Sequence, residues 1–145
     1  MRFLFYDAIT QIEKGVSITG MKSFSLTEEF LNGHYSKMAV VPGALLIEAM
    51  AQLLGWLIIY SHEFMLSTFL ALAEDVVVSP VLRPGFTAEI HAEIISTSKR
   101  DSLGKARMYI GDREIARVNR VIYGHLPKVN PDDLRKLFGY YSGLR

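Results

Sequence analysis

The chain of 145 residues contains no cysteine. That excludes disulfides, thiolate nucleophiles and metal sites built on sulfur, and it leaves the redox compartment open. Charge is sparse as well, at 21% of residues with a net of +1, which is too balanced for the basic surface that nucleic acid requires. There is no glycine-rich loop to cradle a phosphate and no Gly-x-Ser-x-Gly nucleophile turn, so neither chemistry has a seat here. Internal repeats and low-complexity segments are absent. The start, Met1-Arg2-Phe3-Leu4-Phe5-Tyr6-Asp7, reaches a carboxylate too soon for a secretory leader and has no small-residue cleavage site. A cytoplasmic location is the expectation.

One long apolar run does occur. Residues 38–60 carry a single charge and are long enough to span a bilayer. Pro42-Gly43 lies near one end, however, and Glu48 and Gln52 lie near the middle. A carboxylate at mid-membrane costs about 2.5–3.5 kcal/mol. The run therefore reads as a buried core helix, from Pro42 to about Tyr60, with no membrane insertion.

The remaining pattern is mostly of strands. Residues 86–94 alternate apolar and polar without a break, and residues 105–110 alternate again. Residues 114–123 follow the turn Gly111-Asp112. Residues 16–24 and 69–78 also read as strands, with Gly20 marking a bend or bulge. Ala8, Ile9 and Ile12 fit one face of a short helix over residues 7–14. A last short helix is predicted from Pro131 to Phe138, with Asp132 and Asp133 in its first turn. The length suits one domain: an α+β unit over residues 1–125, with an antiparallel sheet wrapped around the long helix, and a tail over residues 126–145.

Charge is unevenly placed along the chain. Residues 1–79 hold 4 basic and 8 acidic side chains, whereas residues 80–145 hold 12 and 7. The second half could present a basic face to an acidic partner, or simply expose solvated strand charges.

The chemistry concentrates in residues 33–52, Gly-His-Tyr-Ser-Lys-Met-Ala-Val-Val-Pro-Gly-Ala-Leu-Leu-Ile-Glu-Ala-Met-Ala-Gln. His34 sits ahead of a Pro-Gly helix start, and Glu48 follows inside an apolar helix. A base and an acid in an apolar setting are the minimum needed to move protons on a hydrophobic substrate. Gly43 falls at the helix N-terminus, where free N–H groups stabilise a developing oxyanion. Gln52 lies one turn beyond Glu48 on the same face.

His34-Tyr35, Val40-Val41-Pro42-Gly43 and Glu48-Ala49-Met50-Ala51-Gln52 resemble the beta-hydroxyacyl-[acyl carrier protein] dehydratases of fatty acid synthesis, which have the hotdog fold. The spacing from histidine to glutamate matches, and so does the later stretch from Phe69-Leu70 through Pro80 to Pro84-Gly85. The family's Phe-Pro-Gly and second proline after the histidine are replaced by Tyr35-Ser36-Lys37-Met38-Ala39, its Asp after the later Pro-Gly turn by Phe86, and the basic residue before its strand-ending proline by Ser79. These departures bear on substrate choice and carrier docking.

The resemblance implies dehydration of a 3-hydroxyacyl thioester carried on acyl carrier protein, with no cofactor and no metal. His34 would be the base for the C2 proton, and Glu48 the acid for the departing hydroxyl, provided burial keeps its proton available. The Val40 carbonyl would orient His34, and base and acid would come from opposite subunits of a homodimer. Plainer roles stand beside these. His34 could be a loop or capping residue and Glu48 a buried ion-pair partner. Gly43 could be a helix-start convenience. Gln52 could orient the carboxylate or satisfy a buried backbone group, while Tyr35, Met38 and Trp56 suit packing. His62, His91 and His125 lack ligand-like spacing. Arg83, Lys99, Arg100 and Lys105 are candidates for the carrier's acidic surface, or plain turn charges. Two other outcomes fit the same residues: a hotdog acyl thioesterase with Glu48 directing water, and a non-catalytic acyl-binding or assembly protein.

Overall fold

The computed structural model describes residues 5–31 and 38–144. Its strands are β1 (Ala8–Glu13), β2 (Ser17–Phe24), β3 (Ser67–Val78), β4 (Phe86–Thr97), β5 (Asp101–Ile110) and β6 (Arg113–Leu126). A single helical turn, Glu29–Leu31, and the long helix α1 (Gly43–Ser61) separate β2 from β3, and α2 (Pro131–Tyr141) follows β6. The strands form one sheet in the order β1-β2-β4-β5-β6-β3, with every neighbour antiparallel.

Alternation explains which face is covered. In β4, Ala88, Ile90 and Ala92 are buried, while Thr87, Glu89, His91 and Glu93 are exposed. The inner face closes on α1, whose Leu46, Met50, Leu53, Leu54, Leu57 and Ile58 are at most 1% exposed. Burying each such side chain stabilises by about 1.5–3 kcal/mol relative to leaving it in water. α1 is the described helix long and apolar enough to cross a bilayer, but the sheet wraps it and it serves as the core.

Two glycines set how closely helix and sheet approach. A Cβ on Gly104 would lie 2.7 Å from the Glu93 carbonyl and 2.7 Å from Leu54 Cδ2. One on Gly20 would lie 2.8 Å from the Ala8 carbonyl and 2.9 Å from Leu53 Cδ1. Gly20 is thus neither bend nor bulge, contrary to expectation; it sits in a regular strand as a receptacle for Leu53.

The bulge lies on the neighbouring strand, and it accounts for a second correction. Residues 7–14, expected as a helix, form β1, paired from Ala8↔Met21 to Glu13↔Ser17. A register shift between Ile9 and Gln11 turns Ile9 and Ile12 toward the same face. Their three-residue spacing therefore imitates a helical period inside a strand. Ile9, Thr10 and Ile12 are β-branched and favour the extended form.

The two sheet edges are treated differently. Along β1, the Ile9 N–H donates to the Ser142 carbonyl at 2.7 Å, so the C-terminal segment covers that edge. β3 is the other edge, twelve residues long, with Phe69, Leu70, Leu72 and Val77 between 41% and 50% exposed. A long apolar edge of this kind is a template for pairing with another strand. The segment after β6 packs back on the domain: Asn130 caps α2 by accepting from the N–H groups of Asp132 and Asp133, and Phe138 is buried.

Gly104→Ala is expected to destabilise the fold by about 1–3 kcal/mol, because the new methyl meets the Glu93 carbonyl held by the sheet and the buried Leu54 side chain. Urea unfolding followed by circular dichroism measures this. An unchanged midpoint would contradict the close approach of α1.

Candidate functional site

Glu48 is half-buried on the second turn of α1. The Gln52 side-chain NH2 donates to Glu48 Oε1 at 2.8 Å, and Gln52 Oε1 accepts from the Phe5 backbone N–H at 2.9 Å. Sequence left two roles open for Gln52, orienting the carboxylate or satisfying a backbone group. In the structure it bonds to both groups. The arrangement fixes the amide, since its oxygen must face the N–H and its nitrogen the carboxylate.

The carboxylate borders a cavity of about 300 Å³ between α1 and β3. Gln52, Trp56, Thr68, Leu70 and Tyr123 contribute to its walls. This size is at the lower end of small-molecule sites. Tyr123, on β6, donates its hydroxyl to the Ala51 carbonyl on α1 and is buried. Burial holds this phenol far above its ordinary pKa, and the nearby Glu48 charge pushes the same way. Tyr123 therefore lies beside the acidic group as a neutral phenol. Its signal in sequence was only the inward phase of the last strand, and the reading above gave it no site role.

At the front of α1, Pro42 occupies the cap position with an extended backbone, and no side chain caps the helix among the described residues. The first-turn N–H groups are thus left without a side-chain acceptor. Gly43 opens the helix, and a Cβ there would lie 3.0 Å from Val78 Cγ2. Close packing against the end of β3 is thus one demand on this glycine. Val40 is buried just ahead, and the Val41 N–H donates to the Leu82 carbonyl at 2.8 Å. His34 and Tyr35 lie outside the described residues. Met38 is exposed, and Trp56 packs against Phe138 at 5.6 Å between ring centroids.

The four basic candidates do not gather in one place. Arg83 precedes β4 next to Leu82, beside the start of α1, and donates to the Pro84 carbonyl. Lys99 and Arg100 occupy the β4–β5 turn at the far end of β4, where the Lys99 and Arg100 carbonyls bond His125. Lys105 pairs with Glu93 across the two strands at 2.9 Å. Only Arg83 is near the opening turn of α1.

Two histidines that looked unrelated in sequence do meet. His62 and His125 stand 5.1 Å apart between ring centroids, linked through Thr97 and Ser102 by bonds of 2.7, 2.7 and 2.8 Å. Burial, and then the charge of His125, lower the His62 pKa. The chain of hydroxyls lies at the C-terminal end of α1, away from Glu48, and ties β4, β5 and β6 to the helix cap.

A family model for the FabA-like domain matches residues 1–119. The 3-hydroxyacyl-[acyl-carrier-protein] dehydratase FabZ of Pediococcus pentosaceus is 32% identical over 113 residues, covering 77% of this chain and 76% of that protein. The FabZ of Caldicellulosiruptor saccharolyticus is 37% identical over 109 residues, covering 74% and 78%. Among solved structures, the fluoroacetyl-CoA thioesterase FlK superposes with a TM-score of 0.64 at 14% identity, over 90% of this chain and 96% of that one. The sheet curled around a central helix is the hotdog fold expected from the sequence.

Tyrosine burial sets an alkaline limit on this architecture. The Tyr6 hydroxyl is buried, has no hydrogen-bond partner among the described residues, and is pushed up to about 12 by burial. An unfolded tyrosine ionises near pH ~10. The stability tied to the neutral Tyr6 phenol is therefore full below that pH and is lost as pH rises toward 12. Tyr6→Phe, measured by urea unfolding, is expected to raise stability by about 1 kcal/mol at neutral pH and to flatten the alkaline decline. An unchanged pH slope would contradict this assignment.

Proposed function

The chain belongs to the FabA-like family, and we propose that it dehydrates a 3-hydroxyacyl thioester, presented on acyl carrier protein, to the trans-2-enoyl thioester in the cytoplasm. The observation carrying this reading is Glu48, held by Gln52 at the mouth of a cavity beside the core helix, in a chain 32% to 37% identical to two dehydratases over about three quarters of its length.

In this mechanism His34 takes the proton from C2. The electron pair moves toward the thioester carbonyl, whose oxygen gains charge and is stabilised by the N–H of Gly43 at the start of α1. Glu48 donates its proton to the C3 hydroxyl, which departs as water as the C2–C3 double bond forms. The Val40 carbonyl orients His34 through the other ring nitrogen, selecting the tautomer that accepts at C2. Gln52 supplies the fixed donor that aims the carboxyl side chain. Tyr123 and the helix backbone close the cavity behind it and keep water away from the enolate-like intermediate.

The active unit is a homodimer in which base and acid come from opposite protomers. The open, apolar β3 edge supports this, since a second copy of the same strand would cover Leu70, Leu72 and Val77 and complete the backbone pairing. Arg83, next to the Leu82 carbonyl that bonds Val41 just ahead of α1, would meet the acidic carrier, whereas Lys99 and Arg100, at the other end of β4, would not share that contact. Membrane insertion and nucleic-acid binding have no part in this reading.

His34→Ala and Glu48→Gln are each expected to lower turnover of a 3-hydroxyacyl carrier substrate by about 10²–10⁴-fold. Enoyl absorbance and free thiol are followed together. Free thiol without enoyl product would identify a thioesterase and overturn the dehydratase reading. Unchanged binding with no parental turnover would identify a non-catalytic acyl-binding protein.

A further inference from the structure

The cavity beside Glu48 is lined along much of its length by α1. It follows one side of α1 from Glu48 past Gln52 and Gly55 to Trp56 and Ile59, a span of about 16 Å at the helical rise. Gly55 forms its waist: a Cβ there would stand 3.2 Å from Thr68 Oγ1 and 3.7 Å from Tyr123 Cε1, so any larger side chain narrows the passage. At the far end Trp56 packs against Phe138 of α2, and Tyr60 and Phe64 hold the same Phe138 ring at 5.5 Å each. α2 lies beyond residues 1–119 matched by the family model. It is fastened independently of the cavity, by Asn130 at its cap, by Arg135 donating to the Glu63 carbonyl at 3.1 Å, and by the Ser142 carbonyl on β1.

We infer that α2 is the end wall of the acyl groove: Phe138 holds the Trp56 indole across its far end and so sets the longest 3-hydroxyacyl chain the enzyme accepts. The inference rests on the dehydratase reading and adds its substrate range. Each methylene buried along the groove strengthens binding by roughly fourfold. That gain stops where the chain meets Trp56, because going further means displacing an indole packed against the Phe138–Tyr60–Phe64 cluster. Phe138 is a positioning residue in this scheme, since it acts through Trp56 and does not line the groove.

Trp56 is the one tryptophan in the chain, so its emission reports what reaches the wall. The full-length protein is titrated with saturated acyl-pantetheine thioesters, which cannot be dehydrated, from butanoyl through octanoyl to hexadecanoyl. The expected result is that butanoyl leaves Trp56 emission unchanged. The length that first shifts emission is also the length at which affinity stops rising. Phe138→Ala moves that plateau to longer chains and, with 3-hydroxyacyl thioesters as substrates, raises the ratio of long-chain to 3-hydroxybutanoyl kcat/KM by at least about tenfold, the gain of two buried methylenes, with 3-hydroxybutanoyl turnover unchanged. Phe138→Leu keeps the parental plateau. Gly55→Ala, which a helix interior favours and which therefore folds, moves the plateau to shorter chains. Identical plateaus in parent, Phe138→Ala and Gly55→Ala, or an equal Trp56 response to butanoyl and octanoyl, would overturn the wall. Loss of turnover on every 3-hydroxyacyl substrate would overturn the dehydratase reading instead, while the binding plateau would still decide the wall.

Discussion

One side chain joins the fold to the chemistry: Gln52, whose amide bridges the Phe5 backbone and the Glu48 carboxylate. α1 has to be apolar enough to fill a curled sheet, and the leucines at 46, 53, 54 and 57 meet that demand on one face. A carboxyl group on the other face of such a helix carries a desolvation cost unless a donor satisfies it. Gln52 is that donor, one helical turn away, and its own oxygen is satisfied by the segment leading into β1. The same two hydrogen bonds that satisfy this half-buried polar pair also tie the Glu48 carboxylate to the segment leading into β1. Stability and positioning are therefore a single requirement here.

Much of this was legible in the sequence because it depends on local period. The unbroken alternation of residues 86–94 gave β4, the long apolar run gave α1, and the dense motif from His34 to Gln52 gave the family and with it the hotdog fold. Residues 7–14 misled for a physical reason, since a bulge moved Ile9 and Ile12 onto one face and imitated a helix. Gly20 signalled a special backbone position, but the cause was the approach of Leu53, a contact between distant parts of the chain. Such contacts have no local signature. The link from Phe5 to Gln52, the burial of Tyr123 beside Glu48, the meeting of His62 with His125 and the separation of Arg83 from Lys99 and Arg100 all arise only when the sheet order is known.

The edges of the sheet carry the remaining logic. β1 is covered by the C-terminal segment through Ser142, whereas β3 is left long and apolar on the side where the cavity lies. A sheet that guards one edge and leaves the other open is built to add strands on the open side. In the proposed dimer, pairing there would bring a second protomer next to the Glu48 cavity, where its histidine would serve. The C-terminal helix meanwhile braces Trp56 from behind. In the proposed scheme, catalysis, assembly and chain-length selection would share the two faces of one helix.

The central claim is that His34 of one protomer acts with Glu48 of the other. Mixing His34→Ala and Glu48→Gln proteins, each inactive alone, and allowing subunits to exchange tests it directly. A mixed dimer then holds one doubly damaged site and one intact site, so the account predicts that turnover returns on mixing and rises with the fraction of mixed dimer. A mixture that stays as inactive as its two components after exchange has been demonstrated would contradict it.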